Sequence, residues 1–176
     1  MIEYERKYLV DLDSTKLNDL LPYIVAKKRI VQGYLSTDPE RVVRVRRVVN
    51  DQSFITIKGL KSEGSCLEIE FPIMPVQADN LIKMCPKLIT KTRYDLLIEG
   101  QKFELDVFEE DLAGLVVVEL EGNKEDIQQY IDDIGLPSWV GLDVTDDKFF
   151  SNVCLLTKTW STVESHIFDI YKGINA

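Results

Sequence analysis

Charge recurs on every second residue through most of this chain. Near the N-terminus, "EYERK" sets Glu3, Glu5 and Lys7 two residues apart, and "VVRVRR" sets Arg44 and Arg46 opposite Val43 and Val45. "FITIK" places Thr56 and Lys58 against Ile55 and Ile57, and "CLEIEF" places Glu68 and Glu70 against Leu67, Ile69 and Phe71. "TKTRYDL" aligns Lys91 with Arg93, "FELDVF" aligns Glu104 with Asp106, and "VVELEG" aligns Glu119 with Glu121. A period of two is that of a β-strand, whose successive side chains point to opposite faces. Eight such runs lie near residues 2–10, 28–36, 41–49, 53–59, 65–73, 89–98, 101–109 and 115–121. Seven carry a charged or polar pair on one face, and the eighth, "IVQGYL", offers Gln32 and Tyr34. The turn signals between them, "VNDQ", "LKSEGS" and "EGQK", suit antiparallel neighbours.

Helical patterns are few. "DSTKLNDLLPYI" (13–24) carries an N-cap candidate in Asp13 or Ser14, and residues 76–85 show a short helical beat. "NKEDIQQYIDDIG" predicts a helix capped by Asn123, with acids in its first turn and Gly135 as its stop. Residues 149–172 predict an amphipathic helix whose Val163, Ile167, Ile170 and Tyr171 cover the end of a barrel or meet another subunit. At 176 residues, with no repeat or linker, one domain is expected.

Two arrangements accommodate the polar faces. In a sandwich they point to water and the apolar faces meet inside. In a closed barrel they point inward, helices cover the apolar exterior, and eight strands leave room for one small ligand. The pairs sort by sign, acidic on the first, fifth, seventh and eighth runs and basic on the third, fourth and sixth. A solvated face has no reason to sort this way. A narrow charged lumen is costly unless its charges balance one another and a highly charged ligand. Acids that gather divalent metal, facing bases that gather phosphate, meet that condition.

Composition excludes several classes. A net charge of −9 argues against general binding to nucleic acid or to an anionic membrane. Cys66, Cys85 and Cys154 form no CxxC pair and are odd in number, so neither a disulfide framework nor a thiolate zinc site is expected. With no long apolar run and a first strand starting at residue 2, the expected setting is a reducing cytoplasm. His166 is the single histidine, which leaves no histidine metal cluster or serine–histidine triad. Trp139 and Trp160 read as packing residues.

The Glu3-x-Glu5-x-Lys7 element resembles the ExExK signature of the CYTH domain, the triphosphate tunnel metalloenzyme superfamily. "QGYL", "VRVR", "TIKG", "EIEF", "KTRY", "ELDVF", "VELE" and "VTDDK" are similar to family motifs in the family's order, covering residues 1 to about 155. The resemblance implies a mainly β fold, a closed eight-stranded antiparallel β-barrel whose lumen binds a triphosphate with divalent metal. Members hydrolyse inorganic, nucleoside or thiamine triphosphates, and some cyclise ATP. The "QGYL…VVRVRR" version resembles the small bacterial branch that includes tripolyphosphatases. Class IV adenylate cyclases and thiamine triphosphatases usually carry a "YFDT"-like stretch where "GYLSTD" stands here.

The resemblance further implies Glu3, Glu5 and Glu121 as ligands of Mg²⁺ or Mn²⁺, both hard cations that prefer oxygen. Glu119 and Asp106 would hold a second metal or position water. Arg44, Arg46, Lys58, Lys91 and Arg93 would clamp the triphosphate. Glu68, Glu70 and Glu104 are further lumen acids that bind metal or hold the bases in place. Lys7 contacts phosphate or, with a lowered pKa, moves protons. The expected partner is a small-molecule triphosphate, with the protein a monomer or homodimer. The expected activity is hydrolysis of inorganic triphosphate. The alternatives are an adenylate cyclase and a non-catalytic polyphosphate- or nucleotide-binding module. After "VTDDK" the family often continues with Arg-Tyr, whereas Phe149 and Phe150 stand here.

Overall fold

The structure, a computed structural model, describes residues 4–10, 18–62 and 65–174, with backbone only at 60–62 and 65–66. Eight strands fall where the alternating runs predict them: β1 (Tyr4–Val10), β2 (Ile24–Asp38), β3 (Arg41–Val48), β4 (Ser53–Ser62), β5 (Ser65–Ile73), β6 (Leu88–Ile98), β7 (Gln101–Phe108) and β8 (Val116–Gly122). A ninth, β9 (Val140–Asp143), has too short an apolar pattern to stand out in the sequence. All pairings are antiparallel, in the order β5-β4-β3-β2-β6-β7-β8-β1-β9. The β6–β7 hairpin turns on Glu99 and Gly100, both at positive φ (49° and 82°), as a two-residue turn matched to strand twist requires.

The closed eight-stranded barrel is corrected to an open, curled nine-stranded sheet. Closure would need the free edge of β1 to pair with β5. That edge is instead taken by residues 140–145: Tyr8 pairs Asp143, Val10 pairs Val140, and Val144 N–H donates to Lys7 O at 2.9 Å. Among the described residues β5 pairs only with β4, and it carries Pro72, a residue that suits an edge.

The polar faces lie on the concave side, which excludes the outward-facing sandwich. Behind β1, β6, β7 and β8 the apolar faces form a core of Tyr8, Leu96, Phe103, Leu105, Val118 and Leu120. Helix α2 (Lys124–Asp133) covers it with Ile127 and Tyr130; α1 is Pro75–Ile82. Asn123 caps α2 by accepting from the N–H groups of Glu125 and Asp126, and Trp139 packs edge-on against Phe103. The chain after α1 crosses tightly over β2, where Gly33 has no Cβ because Cys85 Sγ would lie 2.6 Å from it. Coverage stops short of β5, whose outward Leu67 is 71% exposed.

The predicted helix over 149–172 is broken. A 3₁₀ turn (Lys148–Phe150), short helix α3 (Asn152–Leu155) and helix α4 (Trp160–Ile174) replace it, because Asp147 and Ser151 each cap a separate start. These pieces seat on one end of the concave face, where Leu9, Ile89, Phe108 and Val117 continue the inward positions as apolar side chains. Phe150, Leu155 and Val163 are buried there, while Phe149 stacks on His166 with ring centroids 3.9 Å apart. The C-terminal segment thus plugs one end of the trough. The predicted helix over 13–24 lies partly outside the described residues; within them a helical turn at 18–20 runs into a 3₁₀ turn at Leu21–Tyr23. Among the described residues no helix is long and apolar enough to cross a membrane.

Candidate active site

The concave face encloses a cavity of about 520 Å³ to which all eight strands β1–β8 contribute. Twelve charged side chains line it: Lys7, Arg44, Arg46, Lys58, Lys91 and Arg93, and Glu5, Glu68, Glu70, Glu104, Glu119 and Glu121. Ser151, Asn152 and Val153 of the plug close part of it. Of the fourteen residues expected from the sequence, these twelve come together. Glu3 lies outside the described residues. Asp106 is 1% exposed and does not line the cavity.

Strand order turns the sign-sorting into two walls. β4, β3 and β6 are basic toward the cavity and flank β2, which brings no charged side chain to it, so Lys58, Arg44, Arg46, Lys91 and Arg93 form one side. β7, β8 and β1 follow with Glu104, Glu119, Glu121 and Glu5. Glu68 and Glu70 on β5 sit beside the basic wall. Lys58 Nζ lies 2.6 Å from Glu68, Arg46 Nη2 donates to Glu70 Oε2 at 3.1 Å, and Arg44 stands 3.6 Å from the same oxygen. Thr56 bridges them, accepting from Arg44 and donating to Glu70 at 2.7 Å.

Beneath the floor, Asp106 accepts from Lys91 Nζ at 2.5 Å and from Arg93 Nε and Nη2 at 2.7 and 2.6 Å. Its oxygens are engaged by two bases. Arg93 also pairs with Glu104 and donates to Glu119 Oε2 at 2.9 Å. Lys7 Nζ stands 3.0 Å from both Glu5 and Glu119.

These contacts set the ionisation. Burial alone would push Lys7 down, but the carboxylates of Glu119 and Glu5 together hold it above the ordinary lysine range. Burial pushes Glu119 up, yet Lys7, Lys91 and Arg93 outweigh it and keep that carboxyl well below its usual range. Glu5 is raised, by burial and then by Glu119, with Lys7 opposing. Burial pulls Lys91 down more than Asp106 restores it. Arg46, buried beside Arg44, is brought down to about 10. The lysine with a depressed pKa is therefore Lys91, while Lys7 is held as a cation.

Gln32 and Tyr34 line the cavity beside the charged residues, and the buried Thr56 supports Arg44 and Glu70 from the same strand face. Residue parity in "QGYL" and "TIK" was the available signal, but neutral side chains lack the charge beat that marks the others. Ser151–Val153 had none, since the plug is brought in from a distant part of the chain. Among the described residues no three histidine, cysteine or acidic side chains gather into a preformed metal cluster.

The CYTH domain profile matches residues 1–136. The chain is 34% identical over 152 residues to an inorganic triphosphatase of Acetivibrio thermocellus, spanning 85% of this chain and 90% of that protein. It is 34% identical over 160 residues to an inorganic triphosphatase of Nitrosomonas europaea, spanning 88% and 97%. Among solved structures, that of the inorganic triphosphatase NE1496 superposes with a TM-score of 0.61 at 32% identity, covering 89% of this chain and 95% of that one.

Proposed function

The chain belongs to the CYTH domain family, and from that premise we propose that it hydrolyses the terminal phosphoanhydride of inorganic triphosphate within the charged cavity. The observation that carries this reading is the facing of a basic wall and an acidic wall across one cavity. Triphosphate carries negative charge along its whole length, so a row of guanidinium and ammonium donors binds it lengthwise. The substrate is a small molecule, and the setting is cytoplasmic.

The charge count supports metal dependence. Six cations and six carboxylates line the cavity, so by formal count it is neutral and cannot balance a polyanion alone. Glu5 faces Glu121 directly across the β1–β8 pairing, a like-charge pair that a cation would relieve. Oxygen-only donors fit Mg²⁺ or Mn²⁺, which Glu5 and Glu121 would hold, together with Glu3 and Glu119. When bound, such an ion neutralises the non-bridging oxygens as a Lewis acid.

This chain's residues do the rest. Arg44, Arg46, Lys58 and Arg93 bind and orient the triphosphate, and Lys91 adds positive charge at the floor. Glu119, kept ionised, accepts a hydrogen bond from the attacking water and orients it rather than serving as a strong base. The water oxygen bonds to the terminal phosphorus as the bridging P–O bond breaks, giving orthophosphate and pyrophosphate. Lys7, held as a cation, contacts phosphate and offsets the repulsion between Glu5 and Glu119. Asp106 acts as a positioning residue that fixes Lys91 and Arg93. Glu68, Glu70 and Glu104 hold bases in place.

The test incubates the purified protein with tripolyphosphate or ATP and each metal, and quantifies orthophosphate, pyrophosphate and cyclic AMP. Equimolar orthophosphate and pyrophosphate from tripolyphosphate support the reading. Cyclic AMP from ATP would make the protein a cyclase, and binding without turnover would make it a binding module.

A further inference from the structure

β2 runs through the middle of the basic wall but brings no charge to the cavity. Its inward residues are Ile30, Gln32 and Tyr34. Gln32 is 1% exposed, lines the cavity, and its Nε2 has no hydrogen-bond partner. It pairs in register with Arg46, whose Nε is also buried without a partner, as is the Nε of Arg44 next along the strand. Three donor groups on neighbouring strands therefore lack an acceptor among the described residues. An N–H withdrawn from water without an acceptor is costly, so such a cluster calls for a ligand rich in acceptor oxygens.

Charge explains why an amide stands there. Arg44 and Arg46 already repel each other, and Arg46 is brought down to about 10 by burial and by that neighbour. A third cation between β3 and β6 would deepen the repulsion, whereas a glutamine adds a donor and no charge. A phosphoryl oxygen has several lone pairs and accepts from a guanidinium and an amide together.

We propose that Gln32 is a substrate-binding residue whose side-chain N–H donates to a phosphoryl oxygen of the triphosphate held by Arg44 and Arg46. The inference rests on the triphosphatase reading above. As a donor to oxygens that persist from ground state to transition state, Gln32 acts on affinity more than on turnover.

The test compares wild type with Gln32→Leu by steady-state hydrolysis of tripolyphosphate with Mn²⁺, with thermal unfolding of the free proteins as a control. The expected result is a KM raised about tenfold or more in Gln32→Leu. The kcat stays within about threefold of wild type. The unfolding temperature is equal or higher, because leucine removes an unpartnered donor without opening a cavity. A wild-type KM, or a loss confined to kcat, overturns the assignment. If Gln32→Leu does not unfold cooperatively, Gln32→Met, unbranched and of similar length, gives the same comparison. If wild type itself neither binds nor hydrolyses tripolyphosphate, the triphosphatase reading falls first and this inference falls with it.

Discussion

Lys7 and Glu119 face each other across the β1–β8 pairing, with Lys7 Nζ 3.0 Å from Glu119 Oε1. The same ammonium reaches Glu5 at 3.0 Å, so one cation sits between two carboxylates on the acidic wall. That placement makes Lys7 a competitor of any metal for those oxygens.

Lys7→Met is accordingly expected to bind Mn²⁺ more tightly while losing turnover. A unit charge a few ångströms from the ion is worth more than about 1.4 kcal/mol even at an effective dielectric near 20, so the gain should be at least about tenfold. Turnover should drop roughly a hundredfold, as for loss of one charge-stabilising group. Calorimetric Mn²⁺ titration and a phosphate-release assay measure the two. Weaker metal binding in the variant would mean that Lys7 organises the acids rather than competing for them.

The buried Lys91–Asp106 pair predicts a stability effect. Asp106→Asn removes the counter-charge of a lysine only 3% exposed. Breaking one side of such a pair costs about 3–5 kcal/mol. In a chain of this size the melting temperature should fall by roughly 10 °C. The double variant Asp106→Leu with Lys91→Met should recover much of that loss while remaining inactive. A single variant as stable as wild type would place the pair outside the fold's support.

Glu70 distinguishes holding a base from holding a metal. Its Oε2 accepts from Arg46 at 3.1 Å and from Thr56 at 2.7 Å. Glu70→Gln should raise the KM for tripolyphosphate about threefold or more and leave the Mn²⁺ half-saturation unchanged. Varying metal and substrate independently separates the two. A shift in metal half-saturation alone would assign Glu70 to the metal.

Asp143 links β9 to β1 and gives a pH signature away from the cavity. Burial pushes its carboxyl up, but Thr145, through its hydroxyl and its N–H, and then Arg6 outweigh that and hold it below its usual value. A depressed carboxylate contributes stability that is present above the unfolded value of about 3.9 and is lost as pH falls through the folded one. Asp143→Asn should therefore cost about 1 kcal/mol at neutral pH, a figure kept small because the side chain is partly solvated. The melting curves of variant and wild type should converge as pH falls through the lowered folded value. A gap that stays constant with pH would show that ionisation of Asp143 is not its source.

How much of this was legible in the sequence depends on the range of the interaction. Strand parity is local: the pleat alternates sides, so "VRVR", "EIE" and "VELE" already fixed which side chains share a face. Twelve of the fourteen residues expected from that parity line the cavity. Asp106 shares the parity of Glu104 yet does not line it, because its cross-strand partner Arg93, together with Lys91, draws it beneath the wall. The separate starts at residues 148 and 152 follow from the caps of Asp147 and Ser151, which compete with one continuous helix.

The sequence by itself determined the strands, the sides on which charge falls and the signs each strand carries, because these depend on neighbours two residues apart. Only the tertiary structure decided that β2 inserts between β3 and β6 to make one basic wall. It also decided that residues 140–145 occupy the β1 edge and leave the sheet open, and that the C-terminal helices plug one end. Those outcomes depend on pairings and burial between segments far apart in the chain, which no local period encodes.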